Sequence, residues 1–108
     1  MLINIEEGLK RLHGNKALYK KMLAMFIVSE EIGQLDEFLK AGKAEEASQS
    51  SHAIKGIAGN LSLQDLYAIS DTLTEELRKG LLDETTIEDF HSILASTLAA
   101  AGEAIDTL

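Results

Sequence analysis

Along this chain apolar residues recur in steps of three and four, and no stretch alternates with a period of two long enough for a strand. Residues three and four apart share one helix face, whereas strand side chains alternate between faces. The spacing therefore predicts helices throughout. Asn4 caps a short first helix with Glu7 as its capping-box partner, Gly14 ends it after His13, and Asn15 opens the next. Leu18, Met22, Met25, Val28, Ile32, Leu35 and Leu39 read as one long amphipathic helix that stops near Gly42, with Met22 and Met25 as core filling. Lys43 to Asn60 forms the following helix, with Asn60 as a left-handed stop and Ser62 with Asp65 as the capping box of its successor. That successor buries Leu63, Leu66, Ser70, Leu73 and Leu77 and ends at Gly80. Caps between Asp83 and Thr86 precede a last helix carrying Ile87, Phe90, Leu94, Leu98, Ala101 and Ile105. Connections this short force neighbouring helices to run antiparallel. The expected fold is all-α: an antiparallel up-down four-helix bundle with a short extra N-terminal helix, one domain over residues 1–108.

Composition narrows the function. The formal net charge of −8 argues against nucleic acid and against anionic membrane surfaces, both of which need clustered cations. There is no cysteine, hence no disulfide and no thiolate metal site, as suits a reducing compartment. Without a signal-peptide pattern or a long apolar run, the chain reads as soluble and cytoplasmic; a monomer is expected.

One residue in the helix from Lys43 to Asn60 stands apart. At about 100° per residue, Ile54 lies about 160° and Leu61 about 180° from His52. Ala47, Ile54, Ala58 and Leu61 form the core stripe, so His52 points into solvent. Ser48, Gln49, Lys55, Gly56 and Gly59 share its face. Glycine inside a helix costs about 1 kcal/mol relative to alanine. Two of them beside an imidazole make a poor packing surface but leave bare backbone where another molecule can approach. Lys55 adds a cation one turn away, suited to an incoming anion. An imidazole in water titrates near ~6.5, so an exposed one is largely neutral at neutral pH and free to attack phosphorus. Gln49, one turn earlier, is placed to hold one ring nitrogen and orient the other.

His52-Ala53-Ile54-Lys55-Gly56, followed by Ala58 and Leu61, resembles the H-x-L-K-G-x-A-x-x-L core of histidine phosphotransfer (HPt) domains. Gly8-Leu9, Arg11-Leu12, Gly14-Asn15, Leu18-Tyr19, Leu23 and Phe26 are similar to the lead-in of such domains attached to hybrid sensor kinases, so the resemblance covers nearly the whole chain. The chain departs from the family in carrying Ser62 where glycine is usual and Ile57 where a small residue is usual. The resemblance implies a phosphorelay intermediate. His52 would accept a phosphoryl group from a receiver-domain aspartyl phosphate and pass it to another receiver aspartate. Lys55 would neutralise phosphoryl charge, Gly56 would give steric access and Gly59 would widen it. The partners implied are response-regulator receivers and, where such a domain is attached to one, the remainder of a hybrid kinase. The HPt domain needs no cofactor of its own, because the receiver supplies Mg²⁺.

Rival readings fit less of the sequence. No GxxxxGK[ST] or GxGxxG loop is present to hold a nucleotide, so autonomous kinase activity is not expected. The dimerisation and phosphoacceptor domain of a sensor kinase usually has an acidic residue after its histidine and a proline or threonine beyond; here Ala53 follows, and proline is absent. His13, His52 and His91 lack metal-ligand spacing, and no HExxH occurs. Ser50 and Ser51 do not face His52, which removes a hydrolytic pairing. A binding module with a silent histidine is the remaining alternative. His13 reads as a helix-end residue and His91 as one that flanks the core.

Overall fold

A helix terminus leaves backbone groups without partners, and at the starts of three of the helices here a side chain replaces them. The computed structural model describes residues 1–108 and contains six helices and no strand: α1 Ile5–Arg11, α2 Lys16–Ile27, α3 Glu30–Lys40, α4 Ala44–Leu61, α5 Gln64–Arg78 and α6 Glu84–Thr107. Asn4, Asn15 and Asp83 cap α1, α2 and α6, their Oδ1 atoms accepting from the Glu7, Leu18 and Thr86 N–H groups at 3.1, 3.0 and 3.0 Å. Gly42 and Gly80, at φ +69° and +77°, supply the left-handed turns that stop α3 and α5.

The expected single helix from residue 16 to Gly42 is two helices. Backbone leaves the helical region at Val28 (ψ 16°) and is extended at Ser29 (ψ 129°). Ser29 followed by Glu30 and Glu31 is a helix-start composition, with acids against the positive end of the new helix dipole. The break also changes which side of α2 is buried. Tyr19, Leu23 and Phe26 face the core, while Leu18, Met25 and Val28 are 40%, 61% and 77% exposed. Two apolar stripes one residue apart compete on α2. The stripe with two aromatic rings removes more area from water and wins. Met22 is part-buried against the core, but Met25 is not core filling.

α4 is the central element: α3 and α5 pack along it, and α1 and α2 touch it, while α6 packs on α2 and α5. Its buried arc is wider than the expected four-residue stripe. Ala47, Ile54, Ala58 and Leu61 are inside as expected, but so are Ser48, Ser50 and Ser51. Small hydroxyl side chains let α5 come close and find partners there. Ser51 Oγ donates to the Ser70 carbonyl at 3.2 Å, and Thr74 Oγ1 lies 2.8 Å from Ser51 Oγ. Ser48, expected to face outward, is 7% exposed, with its hydroxyl donating to the Glu45 carbonyl at 2.6 Å. Gly59 meets Tyr67, Lys55 meets Asp71 and Ser51 meets Thr74, so the paired positions run in opposite directions and α4–α5 is an antiparallel hairpin.

The hairpin turn differs from expectation. Ser62, not Asn60, takes the left-handed conformation (φ 58°, ψ 39°), and Leu63 N–H closes the stop on the Ala58 carbonyl at 2.9 Å. Ser62 Oγ donates to Glu7 Oε1 at 3.0 Å, so it ties α1 to the turn instead of capping α5. Asp65 meets the Met1 amino group at 2.8 Å, and α5 starts without a side-chain cap. Below the turn, fully buried Tyr19 donates to the Leu61 carbonyl at 2.7 Å. No helix is long and apolar enough to cross a membrane.

Candidate functional site

His52 lies in the middle of α4 with its side chain exposed, on the side opposite Ile54 and Leu61. The core stripe dictates this: burying Ala47, Ile54, Ala58 and Leu61 leaves no other direction for residue 52. Gly56 is exposed one turn further on, and a Cβ built there would meet nothing within 4 Å. Gly59 behaves differently. A Cβ there would come within 3.3 Å of the Tyr67 ring, so Gly59 is a seat for Tyr67 rather than a widening of the approach to His52. Gln49 is exposed one turn before His52, and no hydrogen bond joins it to the imidazole.

Lys55 is less free than the sequence suggests. Its ammonium sits 2.8 Å from Asp71 Oδ1 and 5.4 Å from the centroid of the Tyr67 ring, with the side chain 24% exposed. The hydrogen bond to Asp71 raises the lysine above its ordinary 10.5; partial burial opposes this, and the negative charges of Asp71, Tyr67 and Glu75 add to it. The site therefore offers an anion a cation already shared with a carboxylate. Asp71 and Tyr67 carry no motif in the sequence that marks them as site residues. Their signal lies in the hairpin: counted outward from Leu63, Asp71 mirrors Lys55 and Tyr67 mirrors Gly59 on an antiparallel partner.

The two flanks of His52 differ in character. Toward α5 lies the Lys55–Asp71 pair. By helical angle Gly56, Asn60 and Ile57 turn the other way, toward α2. There Met22, Met25, Phe26, Ile57 and Leu61 line an apolar groove of about 340 Å³. The exposed Met25 gives this groove an apolar rim. The other two histidines lie apart from the site. His13 is exposed at the end of α1 with φ 54°. His91, expected to flank the core, is 46% exposed and meets Asp36 Oδ1 at 2.7 Å, bridging α6 and α3. No group of three or more His, Cys, Asp or Glu side chains converges to hold a metal ion.

No known family model matches the chain, and neither the curated proteins nor the solved structures yield a match.

Proposed function

We propose that this chain is a histidine phosphotransfer domain of a multistep phosphorelay, with His52 as the phosphoacceptor. The observation that carries the reading is a solvent-facing imidazole with open space over Gly56 one turn away. On this reading the fold is an antiparallel up-down four-helix bundle preceded by the short α1, with the broken α2–α3 pair filling the fourth position beside α4, α5 and α6.

The chemistry needs little from the chain. A neutral ring nitrogen of His52 attacks the phosphorus of an aspartyl phosphate on a receiver. The N–P bond forms, the P–O bond to the receiver's carboxyl breaks, and the carboxylate leaves with the electron pair. The proton on the other ring nitrogen passes to water. The reverse sequence delivers the group to a second receiver. Positioning and charge stabilisation carry such a transfer. Gly56 keeps the line of approach clear, Lys55 offsets phosphoryl charge, and the receiver brings Mg²⁺ in its own acidic pocket. The groove beside Met25 and Ile57, further along α4 on its α2 side, gives the receiver an apolar surface to dock on. The site supplies no nucleotide-binding loop, so the domain passes phosphoryl groups on without being a kinase, in the cytoplasm where receivers act.

A second reading, a helical binding module with a silent histidine, is favoured by one observation: Lys55 is already paired to Asp71. Transfer separates the two. A panel of phosphorylated receivers is mixed with the wild type and with His52→Gln. The wild type takes up label from at least one receiver; His52→Gln keeps its helical circular dichroism and takes up none. If the wild type accepts from no receiver, the binding module is the better account.

A further inference from the structure

We propose that Asp71 sets how tightly this domain holds a phosphoryl group, by sharing the Lys55 ammonium that would otherwise offset the phosphoryl charge. The inference rests on the phosphotransfer reading and adds a regulating residue to it.

Lys55 is held by two residues on one face of α5. Asp71 Oδ1 takes one of its three N–H donors at 2.8 Å, and the Tyr67 ring, one turn away on the same helix, covers it at 5.4 Å. The hairpin holds these positions in register: Tyr67 is seated against Gly59, and Thr74 lies 2.8 Å from Ser51. Lys55 is thus held within one helical turn of His52 and does not swing freely in solvent. The same contact has a cost for the phosphorylated state. A phosphoryl group on His52 meets an ammonium whose charge is partly satisfied, and a half-exposed carboxylate stands behind it. An ammonium already paired with a carboxylate offsets less of an added negative charge. Asp71 therefore makes phosphorylated His52 less stable and readier to donate.

Asp71→Asn keeps the shape and a hydrogen-bonding oxygen while removing the charge. With the phosphorylated receiver that loads the wild type best, the equilibrium constant for transfer onto this variant should be about threefold that of the wild type at low salt, the scale of one exposed ion pair. In roughly 1 M salt, where charges are screened beyond about 3 Å, the difference should nearly vanish. Asp71→Glu should restore wild-type behaviour, and in a Lys55→Met background Asp71→Asn should have a smaller effect. These salt and background dependences would not follow from a merely structural role. An unchanged or reduced phosphorylated fraction in Asp71→Asn, or the same gain with and without Lys55, overturns the proposal. Failure of the wild type to accept label in the same experiment instead sinks the phosphotransfer reading, and this inference with it.

Discussion

Replacing Gly56 by alanine should make the protein more stable and a poorer phosphoryl acceptor. Gly56 lies in the interior of α4, and an added Cβ meets nothing within 4 Å. The substitution therefore brings no clash to offset the gain from a better helix former. Glycine in a helix interior is about 0.8–1 kcal/mol worse than alanine, chiefly because it is freer in the unfolded chain. With no opposing contact, nearly all of that, about 0.8 kcal/mol, should appear as stability. For a domain of this size it corresponds to a rise of about 3–6 °C in melting midpoint. Transfer should change in the other direction. A methyl group on the open side of His52 slows transfer from a receiver modestly, and Gly56→Leu, which reaches further over the approach, slows it strongly while staying folded. Thermal melts by circular dichroism and initial rates of label uptake measure the two quantities on the same samples. A fall in the melting midpoint of Gly56→Ala would show that the space is not open. Undiminished transfer in Gly56→Leu would refute the idea that glycine is there for access.

Gly8 should respond with the opposite sign. A Cβ there would sit 2.6 Å from the Tyr19 ring, which is pinned by its bond to the Leu61 carbonyl, so overpacking of about 1–3 kcal/mol outweighs the helix-propensity gain; chemical denaturation of Gly8→Ala should show a net loss of up to about 2 kcal/mol, and a gain would contradict the packing described. Tyr19→Phe keeps the ring but strands the Leu61 carbonyl, for a loss of about 1 kcal/mol near neutral pH. The same residue makes stability sensitive to alkali. Burial, reinforced by the charge of Glu7, raises the Tyr19 phenol above its usual 10.0. The unfolded chain then loses this proton first, so the contribution is present below pH 10.0 and is lost as pH rises through the folded value. Urea melts on either side of pH 10 should show that decline in the wild type and a shallower one in Tyr19→Phe.

Where one apolar stripe dominated a helix, its face was legible from spacing alone. Leu63, Leu66, Ser70, Leu73 and Leu77 are buried along α5, and Phe90, Leu94 and Ala101 along α6, as their periods require. The outward direction of His52 followed from the same arithmetic. α2 resisted it because Leu18–Met22–Met25 and Tyr19–Leu23–Phe26 are both helical stripes, and period alone does not say which one meets the core. The break at Val28–Ser29 was hidden for a related reason. Apolar steps of three and four run across it, and neither glycine nor proline marks it. Ser48 is buried, against its expected outward direction, because α3 and α5 enclose α4 more widely than a four-residue stripe implies. The pairing of Lys55 with Asp71 depends on the register between two helices, which the exact length of the Ser62 turn determines. It alters the site most, since it changes Lys55 from a free cation into one shared with a carboxylate.

The central claim is that the exposed imidazole on α4 takes a phosphoryl group. The most direct measurement is to map the label after incubation with a phosphorylated receiver, using phosphorus NMR and peptide mapping at alkaline pH. The account predicts an acid-labile, alkali-stable N–P bond on His52, absent from His52→Gln. Label that remains on every receiver tried, or that settles on His13 or His91, would contradict it.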